Sequence, residues 1–74
     1  MTRKRKAPAS IADYLRVAGK TQEQFARELG MSPPKMSRIV RGLVLPDADE
    51  LILIHERTGV PIDALVRAVS EAVA

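Results

Sequence analysis

The feature that most restricts the fold of this sequence is a very short connection between two amphipathic segments. Gly30 follows the first segment, and glycine readily takes the left-handed backbone conformation that ends many helices. Only Met31 and Ser32 precede the second segment, whose helix we expect to begin at Pro34, because a residue before proline is disfavoured in the helical region. Two helices joined by so short a turn cannot lie antiparallel and are expected to cross steeply.

The spacing of apolar residues along the chain predicts helices throughout and no strands. Ser10, Thr21 and Asp47 are N-cap candidates, and Gln24 and Glu50 complete the capping-box pattern of the last two. Helix ends are expected at Gly19, Gly30 and Gly59. The residues expected to face the core are Ile11, Tyr14, Leu15, Ala18, Phe25, Ala26, Leu29, Met36, Ile39, Val40, Leu43, Leu51, Ile52, Ile54, His55, Thr58, Ile62, Leu65, Val66, Val69 and Val73. We therefore expect one all-α domain of five helices.

The basic residues are concentrated in the first part of the 74-residue chain. Residues 1–41 carry ten lysines and arginines against three acidic residues, whereas the remainder carries two against six. Such a basic half suits a polyanion such as nucleic acid, and charges that merely solvate helix surfaces are the alternative. Residues 1–9 show no apolar periodicity, so we expect a flexible basic arm there and a folded domain at 10–74. The arm contains Arg3, Lys4, Arg5 and Lys6.

The segment from Thr21 to Gly42 resembles the helix-turn-helix of the Cro and phage-repressor family, the lambda-repressor-like domains, and the likeness extends over about residues 11–66. The residues that carry it are Gln22, Ala26, Gly30, Ser32, the run Ser37-Arg38-Ile39, Gly42, Pro46 and the run Thr58-Gly59-Val60. The resemblance implies a five-helix DNA-binding domain whose third helix enters the major groove of double-stranded DNA.

The resemblance also assigns roles to individual side chains. It implies base contacts from Pro33, Pro34, Lys35, Ser37 and Arg38, and phosphate contacts from Gln22, Arg27, Ser32 and Arg41. The two prolines stand where the family commonly has polar residues, so they offer apolar contact only, for example to a thymine methyl group. Discrimination between bases then depends on Lys35, Ser37 and Arg38. Arg38 is the strongest candidate because a guanidinium can bind guanine O6 and N7 together.

A small domain gains stability from a second copy, and the family forms its dimer contact around the loop between the fourth and fifth helices. We therefore expect a homodimer with Ile62 and Leu65 in the interface. Leu53, expected to point outward, and the apolar connector 43–45 are further candidates. The basic arm is expected to wrap the duplex or enter its minor groove, and a solubilising tail is the alternative.

The resulting hypothesis is a sequence-specific transcription regulator, most simply a repressor, that binds a pseudo-palindromic operator. Two alternatives belong to other classes. The chain could be the antitoxin of a toxin–antitoxin pair, with residues 62–74 as the surface that binds the toxin. It could also be a protein-interaction adapter that uses the same scaffold without DNA, since a fold does not determine function.

No motif in the sequence indicates catalysis, a cofactor site or a metal site. There is no cysteine, no serine–histidine–acid set and no glycine-rich phosphate loop. The single histidine, His55, is expected to be a packed core residue, and the acids Asp47, Asp49 and Glu50 are expected to favour a helix N-terminus. No apolar run approaches the roughly 20 residues of a membrane span, and none follows the basic start as in a signal peptide, so we expect a cytoplasmic protein.

Overall fold

The computed structural model describes residues 7–73, and side chains within residues 7–70. This part of the chain forms five helices and no strand, which confirms the expected all-α fold. The helices are α1 (Ile11–Ala18), α2 (Gln22–Glu28), α3 (Pro33–Val40), α4 (Ala48–Thr58) and α5 (Ile62–Val73). None of them is both long enough and apolar enough to cross a membrane. The expected arm residues Arg3, Lys4, Arg5 and Lys6 lie outside the described residues.

The predicted N-caps are confirmed. The side-chain oxygens of Ser10, Thr21 and Asp47 accept hydrogen bonds from the backbone N–H three residues later, at 3.1, 3.0 and 2.8 Å. The side chains of Gln24 and Glu50 in turn accept hydrogen bonds from the backbone N–H groups of Thr21 and Asp47, at 2.9 and 3.0 Å. Each cap supplies an acceptor for an N–H group that has no partner within the helix.

The turn between α2 and α3 is closed by two backbone hydrogen bonds. The Gly30 N–H donates to the Arg27 carbonyl at 3.2 Å, and the Met31 N–H donates to the Ala26 carbonyl at 2.8 Å. This hydrogen-bond pattern requires the left-handed backbone conformation at the residue after the C-cap. That residue is Gly30, which has a φ of +72°. The expected helix end is therefore confirmed, and α3 begins only three residues after Gly30.

The expected start of α3 at Pro34 is wrong, because the helix begins at Pro33. Ser32 is its N-cap and accepts a hydrogen bond from the Lys35 N–H at 3.3 Å. The first two N–H groups of a helix have no intrahelical acceptor, so two prolines there lose no hydrogen bond, and their fixed φ suits a first turn. The cap and these fixed angles outweigh the steric preference of a residue before proline.

All five helices contribute to one aliphatic core. Its buried apolar residues are Ile11, Leu15, Phe25, Ala26, Met36, Ile39, Ile54, Val60 and Leu65. Phe25 is fully buried, and its ring lies 5.5 Å from that of Tyr14 between centroids, at a tilted angle of 49°. Because Met36 and Ile39 enter this core, the opposite side of α3 must face outward.

Three expectations for α4 are wrong. Ile52 and His55 are exposed, and Leu53 is half-buried instead of pointing outward. The buried side of α4 follows Ile54 and Thr58, one turn apart, and a residue two positions from Ile54 points nearly the opposite way around a helix with 3.6 residues per turn. His55 Nδ1 donates a hydrogen bond to the Val60 carbonyl at 2.7 Å, so this histidine supports the turn after α4 without being buried in the core.

Other expected core positions are also exposed. Ala18 lies at the exposed end of α1, and Leu43 lies beyond the end of α3, where it no longer follows the helical stripe. In α5, Leu65 is buried, whereas Ile62 and Val66 are 38% and 39% exposed. The apolar face of α5 is therefore wider than the core that it covers.

Thr58 offers a test of the junction between α4 and α5. Its Oγ1 donates to the Ile54 carbonyl at 2.7 Å and accepts from the Val60 N–H at 3.0 Å, and all of these groups are buried. We expect Thr58→Val to lower the free energy of unfolding by about 1–3 kcal/mol, because the buried Val60 N–H loses its acceptor. Urea unfolding followed by circular dichroism measures the change.

Thr58→Ser is the matched control, because it keeps the hydroxyl group and removes one methyl group, at a cost of about 0.8 kcal/mol. A valine variant no less stable than the serine variant would show that the hydroxyl group contributes no more to this junction than the methyl group does.

Candidate nucleic-acid interface

The outward side of α3 carries an exposed ridge of three residues, Pro34, Arg38 and Arg41. Their spacing of four and three residues places them on one side of a helix. Within the described part of the chain, neither Arg38 nor Arg41 belongs to an ion pair. The ridge therefore presents two guanidinium groups, each with a planar set of hydrogen-bond donors, to the solvent.

Three other predicted site residues lie beside this ridge. Pro33 and Ser37 are half-buried next to it, and Ser32 is exposed at the start of α3. The Ser32 hydroxyl already accepts the capping hydrogen bond from Lys35, but it can still donate its own proton to an external acceptor.

On α2, Gln22 and Arg27 occupy different parts of the helix. Gln22 is its first residue and is half-buried. The Arg27 guanidinium lies 3.5 Å from the Glu23 carboxylate one turn earlier, and both side chains are largely exposed. An exposed pair of this kind contributes at most about 1 kcal/mol, so Arg27 can exchange this partner for another anion.

Lys20, by contrast, serves the packing of α1 on α2. Its ammonium lies 2.8 Å from a Glu28 carboxylate oxygen and 5.9 Å from the centre of the Tyr14 ring. The hydrogen bond that Lys20 donates to the Glu28 carboxylate raises the pKa of Lys20.

Lys35 differs most from its expected role. Its ammonium lies 2.5 Å from a Glu50 carboxylate oxygen, so its side chain extends toward the start of α4. That hydrogen bond is the main reason that the pKa of Lys35 is raised. The base contact assigned to Lys35 remains a prediction. To make that contact, the ammonium would have to leave Glu50.

Sequence reasoning missed Glu50 as a neighbour of the candidate site. The capping-box pattern indicated its bond to Asp47, and that bond is present. The contact with Lys35 joins residues fifteen positions apart. No local spacing encodes such a contact, because it depends on how α3 and α4 pack.

The candidate site has hydrogen-bond donors that suit an anionic polymer. Among the described residues, no three histidine, aspartate or glutamate side chains come together as a metal site would require. The exposed groups of α3 are cations, a hydroxyl and proline rings, which suit phosphates and the edges and methyl groups of bases.

Two short helices joined by a glycine turn, the second with an outward basic ridge, define a helix-turn-helix DNA-binding domain. A family model described as "Helix-turn-helix" matches residues 10–65. The chain belongs to this family of lambda-repressor-like domains, which confirms the resemblance seen in the sequence, and the family supports a DNA-binding transcription regulator. No curated protein and no solved structure matches the chain significantly.

The cap of α3 gives a prediction about the stability of the site. We expect Ser32→Ala to lower the free energy of unfolding by about 1 kcal/mol, because the Lys35 N–H loses its acceptor at the start of the helix. Ser32→Asp keeps an N-cap acceptor and should stay close to the parent protein in thermal or urea unfolding. Equal losses in the two variants would mean that the cap does not hold this end of α3.

Proposed function

We propose that the protein is a sequence-specific regulator of transcription that binds a pseudo-palindromic operator in double-stranded DNA as a homodimer and acts as a repressor. The observation that carries this proposal is the outward ridge of Pro34, Arg38 and Arg41 on α3. A major groove is wide enough to admit such a helix. The two guanidinium groups then meet the strongest acceptors that DNA offers, phosphate oxygens and the guanine edge.

Within this proposal, Arg38 is the main base-reading residue. It lies one turn after Pro34 on the exposed side, so it can approach a guanine while the proline ring packs against a neighbouring base or thymine methyl group. Ser37 and Pro33 contribute at the edge of the same contact. Arg41, further along the ridge, is placed to bind a phosphate.

The proposed phosphate contacts also come from the N-termini of α2 and α3. Gln22 is the first residue of α2 and Ser32 is the N-cap of α3, so their polar side chains can bind the sugar-phosphate chain on either side of the groove. Backbone N–H groups can add to this at the start of α2 but not at the start of α3, because Pro33 and Pro34 have none. Arg27 can add a third contact by leaving Glu23. Such contacts fix the position of the protein without selecting a sequence.

The exposed part of α5 supports the proposed homodimer. Ile62, Val66 and Val69 are spaced by four and three residues, as in a seam between paired helices, and the first two are more than one-third exposed. Of the residues proposed for the interface, Ile62 lies in this seam, Leu53 is half-buried, and Leu65 is buried in the chain's own core. In the dimer, two copies of α3 about 34 Å apart would enter successive major grooves.

The same seam also fits the antitoxin alternative, because it lies in the segment 62–74 that would bind a toxin. That function would be favoured if a second small protein co-purified with this chain and covered the seam.

The other alternative is an adapter that does not use DNA. Any duplex binding by such an adapter should depend little on salt, whereas phosphate contacts produce a steep dependence. Selection of bound duplexes from a random pool tests the main proposal, because it reports a preferred sequence and its half-site symmetry together.

The proposed division between base and phosphate contacts predicts different effects of two substitutions. Arg38→Ala should weaken binding to the selected duplex by about 1–3 kcal/mol and relax the preference at one base pair. Gln22→Ala should weaken binding to all duplexes alike, because a phosphate contact carries no sequence information. Fluorescence anisotropy with the selected duplex and a random duplex, at one fixed salt concentration, measures both effects.

Arg57→Ala is the matched control. Arg57 is an exposed arginine of α4 that forms no ion pair within the described residues. Its loss should leave the base preference unchanged and should lower the affinity for DNA only by the small effect of one distant charge. Equal losses on both duplexes for the Arg38 and Gln22 variants would contradict the proposed division.

The proposed dimer seam predicts that Val66→Asp weakens self-association at least about tenfold, because burial of a valine contributes about 1.5 kcal/mol or more and the new carboxylate would be desolvated. Sedimentation analysis over a concentration series measures the change. Val17→Asp is the control, since Val17 is a strongly exposed residue of α1 and lines a depression away from α5. A parent protein that stays monomeric at every concentration would contradict the homodimer.

A further inference from the structure

The starts of α3 and α4 are joined through their capping motifs. Lys35 and Glu50 are both the third residue of their helices, and the backbone N–H of each donates to its own N-cap side chain, Ser32 or Asp47. The side chains of the same two residues meet at 2.5 Å. One residue pair therefore links the first turn of the proposed reading helix to the first turn of its neighbour.

The Glu50 carboxylate is held from two sides. Its Oε1 accepts from the Asp47 N–H at 3.0 Å, and its Oε2 accepts from the Lys35 ammonium. The Glu50 side chain is only 18% exposed, compared with 41% for Lys35. This pair is thus better shielded from solvent than the Arg27–Glu23 pair, and salt screens it less.

We propose that Glu50 is a positioning residue that sets the specificity of the DNA interface by holding the Lys35 ammonium against α4, away from the duplex. This inference rests on the proposed function and replaces the base contact that the family resemblance implied for Lys35. A free cation beside the reading helix would add a phosphate contact that carries no sequence information. It would add most on a random duplex, where no base contact fixes the position of α3 and the ammonium can approach whichever phosphate lies nearest. Holding it away leaves Arg38 as the principal charged group at the bases, so the bond lowers non-specific affinity more than specific affinity and thereby favours discrimination.

Glu50→Gln tests this role without removing the cap. Glutamine is accepted at this position of a capping box and keeps an oxygen for the Asp47 N–H, but it has no charge to hold Lys35. We expect affinity for a random duplex to rise about three- to tenfold, with a smaller rise for the selected duplex. The slope of log affinity against log salt should become steeper by about one unit, because one more cation reaches a phosphate.

Asp49→Asn is the matched control for charge. It removes one negative charge from the same turn of α4, but Asp49 is exposed and forms no ion pair within the described residues. We expect a small and equal rise in affinity for both duplexes and an unchanged salt slope.

Lys35→Met in the two backgrounds completes the test. It should leave the salt slope of the parent protein nearly unchanged and should abolish the added slope of the Glu50→Gln variant. A merely structural role for Glu50 would change stability without this dependence on Lys35. In the absence of DNA, nuclear magnetic resonance titration should show that Glu50→Gln brings the raised pKa of Lys35 back toward its ordinary value.

The outcomes separate this inference from the proposed function. If the parent protein binds duplexes with a steep salt dependence and Glu50→Gln behaves like Asp49→Asn, the role of Glu50 is wrong and the DNA-binding function stands. An unchanged pKa of Lys35 in the Glu50→Gln variant would also overturn the role. A parent protein that binds no duplex would overturn the function and this inference together.

Discussion

The candidate site depends on the closure of the turn between α2 and α3. The left-handed Gly30 and the two hydrogen bonds around it limit how α3 can leave α2. Ala26 is fully buried, and its carbonyl oxygen accepts the hydrogen bond from the Met31 N–H in this turn. Its side chain is small enough for close contact between helices. Because Met36 is buried in the same core as Phe25, the opposite side of α3 faces the solvent.

The ion pairs show that the basic residues in the first half of the chain differ in how available they are to an external anion. Lys20 and Lys35 are bound to glutamates on neighbouring segments or helices, whereas Arg27 has only an exposed partner within its own helix. Arg38 and Arg41 have none among the described residues. Arg16 likewise pairs with an acid of its own helix, Asp13. A positive net charge therefore overstates the number of cations that are free to bind DNA, and Arg38 and Arg41 are the most available of the six basic residues described in this half.

Local signals predicted most of the fold, and tertiary packing explains the errors. Caps and helix-ending glycines act within four residues, so Thr21 and Gly30 could be assigned from the sequence. In α4, however, Leu51 to Ile54 are apolar on all sides, and only the neighbouring helices determine that Ile54 is buried and Ile52 exposed. For the candidate site, the family resemblance singled out Pro34, Arg38 and Arg41, which the structure places on the exposed ridge. The contact of Lys35 with Glu50 depends on the packing of two helices, which the sequence does not encode locally.

The start of α3 combines two features that act in the same direction. Pro33 and Pro34 remove side-chain donors and fix the backbone, while the bond to Glu50 holds the next side chain, Lys35, against α4. The first turn of the helix thus contributes shape and apolar surface but little hydrogen bonding. Under the proposed function, base selection then falls to residues further along the helix. Arg38 is the first exposed side chain there whose donors have no ion-pair partner among the described residues. Under the proposed function, a reading surface with so few donors distinguishes sequences mainly through the placement of one guanidinium group. The capped helix start and the fixed angles of the two prolines would then serve that placement.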